Sequence, residues 1–334
     1  MNHFRFDRWV GALVCALIVV LPLVTRDDFL LNLATLVMIW SIVAVGFDLV
    51  FGALGMASLG HASFLGVGGY ALAIGTQRLG LPFSAAILSA IVLGAASAWL
   101  ISFFALRVSG IFFALVTLAL SQLLYILADS KLRSFTGGAD GLPGVERPSF
   151  AGIDFFNSLN FYGYVGVIFL LVLLGVAILR ASPFGRVVSG IQQNEIRCEQ
   201  LGCDVQRVRQ IIFVVSGGIS GLAGALLASL LMYVNPQMLH WTTSGDVTIM
   251  TLLGGAGTLW GPVAGVLLFE VLKEWLSGKT PYWYGILGLI FILATIYCPR
   301  GVLGEIQHRL RMVRPRRGKS NVQVAHAIPP RERK

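Results

Sequence analysis

The sequence predicts an all-α polytopic membrane protein of about ten transmembrane or broken-membrane helices, with a further short helix on the cytoplasmic face. Three observations predict it. Of 334 residues, 56% are hydrophobic and 12% charged, about half the roughly 25% charged content of a soluble domain. Apolar runs of about 20 residues, the length that crosses a hydrocarbon core, succeed one another along the chain. Between two of them, Phe161–Leu179 and Ile211–Val234, lies a polar island from Arg180 to Gln210 with arginines at 180, 186, 197, 207 and 209. Short arginine-rich links of this kind are retained in the cytoplasm.

Arg5 and Arg8 precede the apolar run Trp9–Val24. No small-x-small cleavage site precedes Thr25-Arg26-Asp27-Asp28, so an uncleaved first span entering from the cytoplasm is the reading, rather than a signal peptide. Leu30–Phe51, Ser84–Leu106 and Ile111–Ala128 are further spans. Phe51 to Gly75, counted as another span, carries seven glycines, at 52, 55, 60, 66, 68, 69 and 75. In a membrane these permit close helix contact or a broken segment buried in protein. Gly60, Ala62 and Gly66, with Gly69 and Ala73, give small residues at near-helical spacing, a candidate packing face. Asp129–Asn160 is a long loop with three Lys/Arg against four Asp/Glu and the turn-rich run TGGADGLPGV. Lacking positive bias, it is assigned to the outer side.

The island has its own pattern. Ser182-Pro183 offers an N-cap with proline in the first turn. Val187, Val188, Ile191, Ile196 and Leu201 return at mostly helical intervals, and Gly202 is a stop. One short amphipathic helix is expected, with Glu195 and Glu199 on a common face. A solvated loop is the alternative.

Beyond Ile211–Val234, with its glycine-rich centre, come the polar patch Thr242–Asp246, an apolar run to Leu253, the run Val263–Leu276 and a last span Tyr282–Tyr297. Basic residues at both ends require an even number of crossings, and 243–256, as a short or broken helix, makes the tenth. Residues 1–299 form the membrane domain. Residues 300–334 hold ten Lys/Arg against Glu305 and Glu332, so nearly all of the net charge of +9 belongs to this tail. Its composition predicts disorder and contact with anionic lipid rather than nucleic acid.

Gly55-Met-Ala-Ser58-Leu59-Gly60 echoes Gly255-Ala-Gly257-Thr258-Leu259-Trp260, which is followed by Gly261. Paired glycine-interrupted segments mark pathways in transporters built from repeats, although chance also yields such matches in glycine-rich membrane sequence. Ser58, Gly60, His61, Gly66, Gly255, Gly257, Thr258 and Gly261 are therefore the candidate pathway or helix-packing positions. Ionisable residues in apolar runs are few: Asp48, His61, Asp246, Glu270, Lys273 and Glu274. Such residues are functional candidates in a membrane. Asp48 is placed near a membrane edge, and Glu270, Lys273 and Glu274 near the cytoplasmic end of their span. For His61, a neutral ring donating to a neighbouring helix's carbonyl competes with direct substrate contact. Cys15, Cys198, Cys203 and Cys298 have neither zinc nor disulfide spacing. No nucleophile motif, metal-ligand cluster or phosphate loop is present, so no enzyme activity and no resident cofactor are expected.

The segments SLGHASFLGVGGYALA, TGGADGLPGV, SPFGR…NEIRCEQLG, GGAGTLWGPVAGVLL and CPRGVLG, in this order, resemble the LivM-type permease subunits of branched-chain amino-acid ABC importers. The resemblance runs from about Leu30 to Leu303. It implies alternating access in the bacterial inner membrane, with both termini cytoplasmic. The implied partners are a second permease subunit, two cytoplasmic ATPases that carry the ATP and Mg, and an extracytoplasmic solute-binding protein. It also implies that Ser182, Pro183, Phe184, Gly185, Arg186, Asn194, Glu195, Glu199, Leu201 and Gly202 belong to the element that couples the permease to an ATPase. Gln192-Gln193 and Arg197-Cys198 depart from the family's habit, which leaves the matching ATPase open. Relatives serve urea, short amides and other amino acids, so the solute stays open too. A stand-alone secondary transporter or channel for urea or an amide is the rival reading.

Overall fold

The long helix after the island, Val205–Leu231, is the axis on which the other helices pack. The computed structural model describes residues 27–147, 149–150, 153–297, 301 and 305. The expected first span Trp9–Val24, Cys15, Cys298 and the tail from 306 lie outside them. In chain order the helices are α1 (Asp28–Phe51), α2 (His61–Gln77), α3 (Phe83–Ala105), α4 (Ile111–Ile126), α5 (Arg133–Thr136), α6 (Ser158–Ala181), α7 (Pro183–Gln193), α8 (Glu195–Gln200), α9 (Val205–Leu231), α10 (Trp241–Gly254), α11 (Gly261–Ser277) and α12 (Trp283–Tyr297). A π-helical turn, Leu127–Lys131, extends α4.

Five helices are long and apolar enough to cross a membrane: α1, α3, α4 with its extension, α6 and α9. Burial sorts them. In α1 and α9, 72% of the apolar window is covered by protein, against 28–33% in α3, α4 and α6. The first two are therefore the core, and the other three present apolar side chains to lipid. The α10–α11 hairpin packs on α1, and α12 packs outside that hairpin. At 14 residues, α10 reaches only about 21 Å and falls short of the roughly 30 Å hydrocarbon core. The expected short tenth segment is this half-length helix.

Glycine explains how α2, α3 and α9 come so close. A Cβ at Gly68 would fall on the Gly221 carbonyl, one at Gly224 on the Leu65 carbonyl, and one at Gly94 would stand 2.7 Å from the Gly217 oxygen. Lipid gives no hydrophobic drive to helix association, so backbone-to-backbone packing of this kind must supply it. The expected small-residue face on α2 is distributed differently. Gly60 abuts the Thr117 carbonyl of α4, Gly66 abuts Leu239, and the α2–α9 seam runs through Gly68. Replacing Gly224 with alanine is expected to cost about 1–3 kcal/mol by overpacking. Gly163, with nothing within 4 Å of its Cβ position, supplies the neutral control, and thermal unfolding in detergent reads both.

One expectation on the glycine-rich stretch changes and another gains structural support. The helix anticipated over 51–75 begins only at His61, and residues 52–60 between α1 and α2 are non-helical. The echo 200 residues later is structural as well as textual. Residues 255–260 are likewise non-helical, Gly55 and Gly255 both have positive φ (74° and 116°), and α2 and α11 both span 17 residues, from 61 and from 261.

The links alternate between two faces. On one lie 106–110, the island and 255–260. On the other, Gln77 donates to Pro143 O, Leu142–Pro143 pairs antiparallel with Tyr233–Val234, and Tyr233 donates to Asp140 O. The long loop and the island thus occupy opposite ends, as their charge requires. Cysteines at Ser158 and Ser189, on a background lacking native cysteines, are expected to react with an impermeant thiol reagent from opposite sides, and labelling of both from one side would overturn this arrangement. Arg147, which sequence reasoning passed over, anchors the loop. It is buried, donates to the carbonyls of Ser229, Leu230, Phe155 and Phe156 at 3.1–3.5 Å, and lies 4.9 Å from the Phe161 ring centre. It thereby satisfies carbonyls at the end of α9 that the helix leaves open.

Candidate functional site

The island folds as two helices, where one was expected. Ser182 Oγ accepts from Gly185 N at 3.2 Å and Pro183 opens α7, so the predicted cap forms. The helix ends at Gln193 because Asn194 turns extended (φ −161°, ψ 100°), and its side chain caps α8 by accepting from Arg197 N at 2.9 Å. Gly202 stops the element with φ +85°. Asp204 then caps α9 through Arg207 N at 3.0 Å.

Val188, Ile191 and Cys198 turn inward, and Gly185 sits against the Leu179 and Arg180 carbonyls, where no side chain fits. Phe184 is half-buried and Arg186 exposed. The kink at Asn194 carries α8 back over the start of α9, and Arg209 meets Glu195 at 2.6 Å. Glu195 is thus engaged within the chain, and only Glu199 of the expected acidic pair stands free for a partner. Ile196 and Leu201, counted as part of one amphipathic face, are 67% and 76% exposed. The kink separates them from Val188 and Ile191 and leaves both as exposed apolar side chains on the island.

Inward of α7 lies a junction the sequence did not disclose. Asp48, in the last turns of α1, is fully buried. Its Oδ2 accepts from Arg180 Nη2 at 2.6 Å and its Oδ1 from Gly257 N at 2.8 Å, while Arg180 Nη1 donates to Gly257 O at 3.3 Å. Gln192 of α7 donates to Gly52 O at 2.7 Å. The Cβ position of Gly52 is already occupied by the Asp48 carboxylate and Gly257 N, so only glycine fits there. A buried carboxylate is tolerated only when paired and hydrogen-bonded, and Asp48 has both. The arrangement ties α6 and α7 to both echoing loops, 52–60 and 255–260. Asp48 and Arg180 are 132 residues apart. One had been placed near a membrane edge and the other counted as a retention charge. Their common depth, at span ends facing one side, was the only signal.

The remaining candidates serve the same loops. Thr258 Oγ1 donates to Gly255 O at 3.1 Å and accepts from Gly261 N at 2.9 Å, which caps α11. Gly261 packs against Gly255. Ser58 is buried, with Gly60 N at 3.4 Å from its hydroxyl. His61 Nε2 lies 2.6 Å from Ser216 Oγ, and that hydroxyl donates to Gly46 O at 2.5 Å. With its proton committed to Gly46, Ser216 can only accept from His61, so Nε2 carries the ring proton. The histidine reaches a neighbouring helix's carbonyl through a serine. It is fully buried among the rings of Phe47, Phe64 and Phe213. Glu270 and Lys273 do pair at 3.3 Å. They lie in the middle and far half of α11 rather than at the island end, because the α10–α11 turn sits beside Arg180 and α11 runs away from the island, putting Glu270 about 14 Å along a helix of 17 residues.

Residues 29–295 match the family described as branched-chain amino acid transport system / permease component. The high-affinity branched-chain amino acid transport system permease protein LivM of Escherichia coli is 28% identical over 304 residues, covering 84% of this chain and 71% of LivM. LivH of Salmonella typhimurium, from the same kind of system, is 24% identical over 297 residues, covering 82% and 94%. The L-arabinose transport system permease protein AraH of Escherichia coli is 28% identical over 209 residues, covering 58% of each chain. A bundle of apolar helices around a paired-loop junction, matched over nearly its whole described length, belongs to the family of permease components of branched-chain amino acid transport systems.

Proposed function

We propose that this chain is half of the translocation path of an ATP-driven importer of branched-chain or related small amino acids. It works beside a second permease subunit in a bacterial inner membrane, with both termini and the island cytoplasmic. The observation that carries the reading is the junction of Asp48, Arg180 and Gly257 beneath an island that exposes the apolar side chains Ile196 and Leu201. In this reading two ATPases, which hold ATP and Mg, grip the island through Ile196, Leu201 and Glu199. Their closure rocks α7, and the junction passes the movement to α1 and to the α10–α11 turn, opening the path by rigid-body motion. An extracytoplasmic binding protein delivers the solute. The amino-acid assignment rests on LivM and LivH. AraH belongs to an arabinose system on a related chain, so the scaffold itself does not dictate the solute.

Proteoliposomes containing this chain, its partner permease, their ATPases and their binding protein are expected to accumulate leucine only with ATP inside and loaded binding protein outside. Arabinose and urea serve as competitors. Uptake by the permease alone under an ion gradient would establish the stand-alone carrier instead.

A further inference from the structure

Three carboxyl groups and one ammonium stand within the membrane among α10, α11 and α12, on the far side of these helices from the island. Asp246 and Glu270 lie on either arm of the α10–α11 hairpin, each about 12–14 Å from its island-side turn. That is close to the middle of a hydrocarbon core about 30 Å thick. Glu270 is buried and meets Lys273 at 3.3 Å. Among the described residues Asp246 accepts only from Tyr284 Oη of α12, at 3.0 Å, and the exposed Glu274 has no ion-pair partner. The next cation, Lys279, lies past the end of α11 and over the Trp275 ring. Ionised or protonated, a carboxyl group at such depth needs a partner.

The group is also incompletely covered. The Lys273 side chain is 37% exposed. A Cβ at Gly245, beside Asp246, or at Gly288, one turn on from Tyr284, would meet nothing within 4 Å. An open groove therefore runs between α10 and α12 next to the carboxyl groups. Open glycines occur on α6 as well, at Gly163, so glycine alone marks nothing. Charge sets this face apart. Helices α3 and α4 contain no acidic or basic side chain, and α6 has only Arg180 at its island end. Those faces suit acyl chains, whereas whatever covers the groove must offer cations or hydrogen-bond donors at mid-membrane depth. Lipid tails offer neither. A solute could match the carboxyl groups only while it passed, and ATPases and binding protein stay outside the hydrocarbon. A second membrane subunit remains, and the glycines let its backbone approach closely. We infer that the second permease subunit seats on the α10–α12 groove, one of its spanning helices packing over Gly245 and Gly288 and presenting a basic or donor side chain to Asp246 and Glu274. The inference rests on the paired-permease reading above and adds to it the surface and the chemistry of the contact.

The test uses the whole complex in nanodiscs, with the photo-cross-linker p-benzoyl-phenylalanine at Thr242 or Gly285 of this chain, and at Leu100 of α3 or Leu171 of α6 for comparison, all four being exposed. On irradiation the first two positions are expected to give covalent products with the second permease at about tenfold the yield of the other two, which should capture lipid. Gly245→Leu and Gly288→Leu fill the groove where the isolated chain has room. Its unfolding temperature should therefore hold, while recovery of the second permease through this chain falls about tenfold. Gly163→Leu, equally open, should leave recovery unchanged. Glu274→Lys sets a like charge against the partner's cation and should lower recovery as far as the leucines do. A wild-type preparation without a second permease would overturn the paired reading itself. With the pair present, products with it from Leu100 or Leu171 in place of Thr242 and Gly285 would overturn the choice of surface. Capture of lipid, or of a second copy of this chain, at Thr242 and Gly285 would overturn the occupant. Wild-type recovery with Glu274→Lys would overturn the charge match.

Discussion

Asp48→Ala is expected to abolish ATP-driven uptake and to cost about 3–5 kcal/mol of stability, the usual result of removing one partner from a buried ion pair. The loss has two parts. Arg180 keeps its charge at a largely covered position with its carboxylate gone, its side chain being 21% exposed. Gly257 N loses its acceptor, and an orphaned buried donor costs a further share of that total. Asp48→Leu combined with Arg180→Met separates the two roles. Replacing both charges with apolar groups of similar size is often neutral for stability, so the double variant should recover most of its unfolding temperature. Its uptake should remain near zero, because no directional bond then joins α6 to the α10–α11 turn. Recovery of transport along with stability would reduce the junction to a structural filler.

Ile196→Asp combined with Leu201→Asp is expected to leave the permease folded and paired yet strip it of its ATPases. Both side chains are exposed in the isolated chain, so nothing internal depends on them. Buried anchors at the centre of an interface are worth about 2–4 kcal/mol each, and placing a carboxylate at either adds a desolvation penalty. Affinity purification through the permease should recover the partner permease at wild-type level and the ATPases at a small fraction of it. Glu199→Gln should do far less, since exposed ion pairs contribute about 0–1 kcal/mol. A proline scan of the island should follow the kink. Gln193 is the last residue of α7, so proline there disturbs only a final turn. Proline at Ser189, in the body of the helix, removes an interior N–H bond and should cost about 3 kcal/mol or more.

What the sequence made legible was set by short-range chemistry. Among the described residues, hydropathy placed most of the spans within a few residues, because each must satisfy its own backbone in lipid. The cap at Ser182 and the stop at Gly202 were readable because both act within four residues. The kink at Asn194 was not. Val187, Val188, Ile191, Ile196 and Leu201 fit one helical period well enough to hide it, and only the packing of α8 on α9, with Arg209 meeting Glu195, makes the turn worthwhile. The start of α2 at His61 was missed for a related reason. Composition marked the stretch as glycine-rich but could not say which glycines bend the chain and which admit a neighbour. Gly68 and Gly224 do the latter, against partners more than 150 residues away. The Asp48–Arg180 pairing was invisible because each residue alone had a sufficient local explanation.

The account turns on the claim that movement of the island reaches the interior loops through Arg180. ATP hydrolysis and leucine uptake, measured together in proteoliposomes of the Arg180→Gln complex below its unfolding temperature, test it most directly. The account predicts that the ATPases stay bound and hydrolyse ATP at a basal rate, that loaded binding protein no longer stimulates them, and that leucine is not accumulated. Wild-type stimulation and uptake in that complex would contradict it.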